Sequence, residues 1–349
     1  MTAINRRNFL KTSIIGGLAL AYARPFEAFA SPVQLNDFDA RVALTTGDNR
    51  ADLAFRALQP FSKEVASAIG NKRVVLKPNN VSIDLPLCAT HVDTLEGILE
   101  FLKSIEKLDN VIIAESAANG PTFDGFSNYG YYNLIKKYPV KLVDLDQEPI
   151  DLLYVFDEED FRPHALRTSN ILLDSNSYIV SVARMKTHDR VLATLSLKNI
   201  VVGAPIKDKG FTWSRSSKPG AVNDKPIIHG SGFRGINYNL YALSRKLHPH
   251  LAVIDGFEGM EGNGPNSGTP VDHRVCVAST DWLAADRVAI ELMGIDFAKV
   301  GYLNFCAQTG AGVADLNKIE VIGERLNDHI KSYKLSDNIN SQLIWMNPA

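Results

Sequence analysis

The sequence predicts an α/β protein: a doubly wound, mostly parallel or mixed sheet with helices on both faces and a long inserted loop. Three observations predict it. Short continuous apolar runs alternate with segments of helical spacing, as strands buried on both faces require. Charged residues follow directly on several of these runs, at the sheet edge where open α/β folds bind ligands. One unpatterned stretch, residues 203–233, interrupts the alternation late in the chain.

Residues 1–30 are expected to be an address and not part of the fold. Arg6 and Arg7 are followed by Asn8, Phe9, Leu10 and Lys11, a twin-arginine pattern. An apolar stretch from Ile14 to Ala23 comes next, then Ala28-Phe29-Ala30 with small residues for a signal peptidase. The stretch is far shorter than the ~20 residues that span a bilayer. No other segment reads as a membrane span. The twin-arginine export machinery is therefore one expected partner, and residues 31–349 are read as one α/β domain, exported to the periplasm or otherwise out of the cytoplasm.

In the mature region, Arg41 to Thr45 reads as a strand, and Asn49 to Gly70 as a helix interrupted near Pro60. Arg73 to Leu76 is a second strand, leading into Lys77-Pro78-Asn79. Thr94 to Lys107 carries Leu95, Ile98, Leu99, Leu102 and Ile105 at helical spacing. Val111 to Ala114 is a third strand, ending at Glu115. Asn128 to Tyr138 reads as a helix and Val140 to Val143 as a fourth strand. Ile150 to Phe156 and Leu166 to Leu173 read as strands of a meander or an added edge. Tyr178 to Val182 is a buried strand leading to Lys186 and His188. Gly235 to Leu247 reads as a helix. Leu251 to Ile254 is a strand feeding a loop over Asp255–Pro270, in which Asp255, Glu258 and Glu261 lie among five glycines. Val275 to Ala278 is another strand, Asp281 caps a helix from Trp282 to Met293, and Ile319 to Ile322 is the last strand.

Lysine and arginine number 37 and aspartate and glutamate 39, a net charge of −2. Removing Arg6, Arg7, Lys11 and Arg24 with Glu27 leaves −5, which gives no reason to expect a nucleic-acid partner. Cys88, Cys276 and Cys306 are scattered without a C-x-x-C pair, so neither an iron–sulfur cluster nor a paired-cysteine zinc site is expected.

The charged groups at strand ends are the candidate site. Lys77, Glu115, Lys186 with His188, and Asp255 with Glu258 and Glu261 collect on one carboxyl edge if the strands are parallel. Lys186 and His188 share a face if their strand continues. Lys198 and Asn199 interrupt the apolar stretch Leu195–Val202, and both residue types need partners when buried. His229 joins from the long loop. His188, Glu258, Glu261 and Glu115 are the candidate acid–base groups, and with a carboxylate pair the histidine suits a divalent metal. Lys77, Asn79, Lys186, Lys198, Asn199 and His229 are candidates for holding an anionic substrate. Taken singly, each also fits a bland role as a solvated strand end or a helix cap. No nucleophile elbow, phosphate loop or dinucleotide fingerprint is present.

Together these residues resemble the family known as domain of unknown function 362. The resemblance rests on Leu76-Lys77-Pro78-Asn79, Ile113 to Ser116, Val182 to His188, Leu195 to Ile200, Asp255 to Gly268, Ala278 to Asp281, and Ala284 to Asp286 before Met293-Gly294. It implies an α/β fold. Some members carry a ferredoxin-like module with clustered cysteines; this sequence has no such cluster, so an iron–sulfur role is not expected from the resemblance. The expected function is an exported enzyme with a Lys/His/Glu cleft for a small anionic or hydroxylated substrate, metal-assisted or not. The alternatives are a non-catalytic periplasmic binder of an anion or metal, and a redox accessory protein without its cluster module.

Overall fold

The computed structural model describes residues 38–213, 217–230 and 232–347. The twin-arginine stretch lies outside them. Nine of the described strands form one sheet, with the order β11-β1-β10-β9-β7-β2-β3-β4 and β8 paired to β7. Their ranges are β1 Ala40–Thr46, β2 Arg73–Lys77, β3 Val111–Glu115, β4 Val140–Asp144, β7 Ser177–His188, β8 Leu192–Thr194, β9 Leu251–Asn263, β10 Ser267–Ser279 and β11 Ile319–Gly323. β4, β3, β2, β7 and β9 run parallel, and β10 is antiparallel to both β9 and β1. The doubly wound, mostly parallel sheet read from the alternation is therefore present.

Alternating side chains along the central strands enter two different cores. Val74, Leu76, Ile113 and Val180 join one cluster, whereas Val75, Ile112 and Ile179 join the other. The first core is closed by α1 (Arg50–Leu58), α2 (Ser62–Ile69), α3 (Val92–Ser104), α4 (Thr122–Asn128) and α5 (Leu134–Lys137). The second is closed by α6 (Ser196–Gly203), α7 (Lys225–Gly230), α8 (Gly232–Ser244), α9 (Trp282–Leu292) and α10 (Gly301–Gln308). Strands wound outward from β2 to β4 carry helices on one face, and those entered from β7 carry them on the other. The order of winding thus reverses between β2 and β7, which is where such sheets open a crevice for ligands.

Several sequence expectations need correction. The segment Asp255–Pro270 is not a glycine loop. It is the outer part of a long hairpin, with β9 and β10 paired from Asn263↔Ser267 to Ala252↔Ser279 and an irregularity between Asp272 and Val275. Four of the five glycines, Gly256, Gly259, Gly264 and Gly268, serve close packing: a Cβ on Gly264 would collide with the Thr187 carbonyl oxygen of β7. The helix read over Asn128–Tyr138 is broken, because Gly130 takes φ +78° between α4 and α5. β5 (Ile150–Phe156) and β6 (Pro163–Ser169) form a separate two-stranded antiparallel sheet. The apolar stretch Leu195–Val202 belongs largely to α6. The three cysteines are free and buried. Among the described residues no helix is long and apolar enough to cross a membrane.

The long segment after α6 is pinned and does not float over the surface. Pro205 bridges to Thr168 and Lys207 to Asn223. Arg167 of β6 holds it with ion pairs to Asp208 at 2.6 Å and Asp224 at 2.8 Å. Lys207 pairs with Asp146.

Candidate functional site

A cavity of about 500 Å³ opens at the carboxyl ends of β2, β3 and β7. Ligand pockets commonly have this size. Its wall is built from strand ends, from α6, from the pinned segment with Trp213, Lys225 and His229, and from Pro265 and Asn266 at the tip of the β9–β10 hairpin. The structure brings together seven of the residues singled out in the sequence: Lys77, Asn79, Glu115, His188, Lys198, Asn199 and His229.

Lys77 ends β2, and Pro78 forces the chain to remain extended beyond it. Its Nζ meets Glu115 Oε1 at 2.5 Å, the Pro78 carbonyl at 2.7 Å and Asn199 Oδ1 at 3.3 Å. Burial lowers the Lys77 pKa, and Glu115 opposes that shift. The carboxylate of Glu115 also accepts the backbone N–H groups of Asn80 and Ser116, both at 2.8 Å. Asn199 donates to the Lys77 carbonyl and to Ser181 Oγ, each at 3.0 Å, and accepts from Asn79 at 3.1 Å. These four side chains form a cross-braced floor. Gly203 is part of it, since a Cβ there would lie 2.5 Å from Lys77 Cε and Nζ.

α6 carries Lys198, Asn199, Val202 and Gly203 to the cavity. Its amino end is held by Asp286 of α9, which accepts from Ser196 N at 2.8 Å, Ser196 Oγ at 2.6 Å and Leu197 N at 3.1 Å. A carboxylate at this position satisfies exposed helix N–H groups and favours the helix dipole.

One corner of the cavity holds the pair Lys198–His188. Lys198 Nζ lies 3.0 Å from His188 Nε2. Both residues are almost wholly buried. Burial, followed by repulsion from Lys186, pushes the Lys198 amine down to about 7. Burial, followed by Lys198, holds His188 well below the ordinary imidazole range. His188 Nδ1 accepts from Arg190 N at 3.0 Å and stands 3.2 Å from Asp189 Oδ1. With Nδ1 accepting, the neutral ring carries its proton on Nε2, and Lys198 receives it as a free amine. With Nδ1–H turned to Asp189, Nε2 accepts from the ammonium instead. One pair can therefore hold or release a proton at the cavity.

His229 stacks on His188 with ring centroids 5.7 Å apart and planes 22° from parallel. Its Nδ1 lies 3.1 Å from the Lys225 carbonyl, which leaves Nε2 as an acceptor. Burial and then Lys198 push its pKa down to about 3. Lys225 donates to the Gly203 carbonyl at 3.2 Å and to the Pro205 carbonyl, and burial pushes it down to about 7.

Three expected site residues stand elsewhere. Lys186 is buried behind the wall, where Nζ donates to the Cys88 carbonyl at 2.8 Å and burial lowers it to about 8. Glu258 pairs with Arg184 at 3.4 Å. Glu261 accepts from Lys334 N at 2.8 Å and so ties down the carboxy-terminal segment. Neither glutamate lines the cavity. The expected His188–Glu258–Glu261 constellation is therefore not assembled: β9 runs beside β7 with Met260 opposite Lys186, and the two acids are taken up by Arg184 and the Lys334 backbone. Asp255 is likewise committed to Thr94 at 2.7 Å and Arg50 at 3.5 Å. Among the described residues, no group of three or more His, Cys, Asp or Glu side chains is placed to hold a metal ion.

Sequence reasoning missed Lys225, Arg190 and Trp213. Arg190 was signalled by its place two residues after His188. Lys225 and Trp213 lie in the unpatterned segment, which offers no periodicity from which to place them.

A protein of Synechocystis sp. described as thylakoid-associated is 24% identical over 230 residues, covering 65% of this chain and 65% of that protein. The profile of the domain of unknown function family DUF362 matches residues 74–291, which include β2, β3, β7, α6 and the hairpin that form the cavity. On that match, the chain belongs to the DUF362 family.

Proposed function

We propose that the cavity binds a small anionic or hydroxylated compound and that the protein is an enzyme acting on it. The observation that carries this reading is Lys198. It is wholly buried and lines the cavity, and its Nζ contact is a neutral imidazole and not a carboxylate. Cationic groups without acids are stabilised by an anion that arrives between them. Asn79 Oδ1, Asn80 Nδ2 and Thr194 Oγ1, all on residues of the same wall, are buried and without hydrogen-bond partners. Buried polar atoms are normally paired, and three unpaired ones on a single wall support a polar ligand there. Lys77, Asn79 and Asn199 would position the substrate, Lys225 and His229 would bind its polar groups, and His188 with Lys198 would move a proton.

The test is a melting-temperature screen of the full chain with phosphate, sulfate and a panel of carboxylates, followed by turnover assays with any compound that binds. A ligand at a hundred times its Kd stabilises by about 2.7 kcal/mol. At least one anion is expected to do so, with the shift lost in Lys198→Met. Equal shifts in both proteins, or none, would refute the site. Binding with no consumption of any compound would favour the non-catalytic binder over the enzyme.

We also propose that the protein is exported through the twin-arginine route, on the pattern from Arg6 to Lys11 and the small residues at Ala28 and Ala30. The double change Arg6→Lys, Arg7→Lys is expected to retain the protein in the cytoplasmic fraction. Unchanged fractionation would refute this.

A further inference from the structure

We propose that Lys198 is a carbonyl-reactive amine, whose Nζ at the cavity wall beside His188 Nε2 condenses with a small oxo acid to form an imine. The proposal rests on the anion-binding reading of the same cavity and names the substrate class.

Among the described residues five lysines are buried: Lys77, Lys186, Lys198, Lys207 and Lys225. Lys77 is locked to Glu115 at 2.5 Å. Lys207 is paired with Asp146. Lys186 donates to the Cys88 carbonyl and does not line the cavity. Lys225 lines it but donates to two backbone carbonyls, which accept hydrogen bonds and cannot take up a proton. Lys198 alone among these five lines the cavity with an imidazole at its nitrogen, 3.0 Å away, where Lys77 has a carboxylate. Its lowered pKa, about 7, agrees with a usable fraction of free amine at neutral pH. Lys225 and Arg190 on the same wall would receive the carboxylate of the oxo acid.

The chemistry balances without an oxidant or reductant. The Nζ lone pair attacks the carbonyl carbon, and the C=O π bond breaks toward oxygen. His188 Nε2, with Nδ1–H turned to Asp189, takes the proton from nitrogen and delivers it to that oxygen. The carbinolamine formed loses its hydroxyl as water when a solvent proton is added. A protonated C=N bond to Lys198 remains. Its positive charge withdraws electrons from the neighbouring carbon, which is the purpose such an adduct serves in carbon–carbon or carbon–hydrogen bond cleavage.

The experiment treats the full chain at neutral pH with glyoxylate, pyruvate or 2-oxoglutarate in the presence of sodium cyanoborohydride, and maps reduced adducts by peptide mass spectrometry. Labelling is expected to fall predominantly on Lys198, with only traces on the exposed Lys63 and Lys246. His188→Asn should slow the labelling and shift its pH profile while the adduct stays on Lys198. Lys198→Arg, which keeps the cation, should retain any melting-temperature shift given by these acids and lose the adduct. Adducts distributed by exposure, or none with all three acids, would overturn the imine. If the acids still raise the melting temperature in that case, the anion site stands and only the covalent step falls.

Discussion

Replacing Lys198 by methionine is expected to give a protein that is folded, slightly more stable and functionally silent. Methionine has nearly the length of lysine and no charge to desolvate. Lys198 is almost wholly buried, and its near partner is an imidazole ring. The gain at pH 6 should be about 1–2 kcal/mol, after allowance for the hydrogen bond His188 loses. Catalytic efficiency toward any substrate found should fall by about 10²–10⁴-fold, the usual contribution of a positioned proton-transfer group. Stability and function moving in opposite directions mark a site that is maintained for its chemistry. Denaturant titrations on both proteins check the sign: a Lys198→Met protein that loses stability would mean that the lysine is structural glue.

The same variant should change the pH dependence of stability. An unfolded lysine titrates near 10.5, whereas Lys198 in the fold titrates at about 7. Between those values the unfolded chain holds a proton that the native chain lacks. Stability therefore rises with pH across that window, by about 1.4 kcal/mol per unit for each such proton. Below about 7 both states are protonated and the burial penalty is present in full. Lys225, at about 7, and Lys186, at about 8, contribute slopes of the same sign. Lys198→Met should remove one share of the slope and leave the others. An unchanged slope would contradict the assignment.

The second large effect is expected at Glu115. Glu115→Ala removes the partner of Lys77 and the acceptor for two backbone N–H groups. Breaking a buried pair from one side strands the other charge, and a loss of about 3–5 kcal/mol is expected. The double variant Lys77→Met, Glu115→Gln should recover a large part of it, because no uncompensated ammonium remains. Unfolding midpoints of the single and double variants form a thermodynamic cycle. A Glu115→Ala loss below about 1 kcal/mol, or a double variant no better than the single, would show that the pair does not brace the floor.

The central part of the site was legible because a parallel sheet collects the residues that follow its strands. Lys77 after Leu76, Glu115 after Ala114 and His188 at the end of β7 occupy one edge as soon as the strands are read as parallel. Lys198 and Asn199 were conspicuous as polar residues in an apolar stretch, although that stretch folds as a helix. Glu258 and Glu261 misled for a specific reason. Glycine density was read as a loop at the edge, but the segment forms a hairpin whose first strand pairs with β7, and Gly264 lies against Thr187. Two acids that a loop could have turned inward were carried outward to Arg184 and Lys334.

The sequence by itself determined the layered α/β class, the edge on which the polar groups gather and most of the residues of the cavity floor. Local patterning suffices for these, since strand burial and side-chain alternation repeat over a few residues. Tertiary structure alone decided which charges meet. It paired Lys77 with Glu115 across 38 positions, set His188 against Lys198 from a strand and a helix, and folded Lys225 and His229 in from a segment with no periodicity. The physical reason is that protonation and reactivity depend on burial and on neighbours within a few ångströms. Lysines alike in the sequence become a braced ion pair at Lys77, a carbonyl-bound side chain at Lys225 and a partner of an imidazole at Lys198 only when the fold assigns their neighbours.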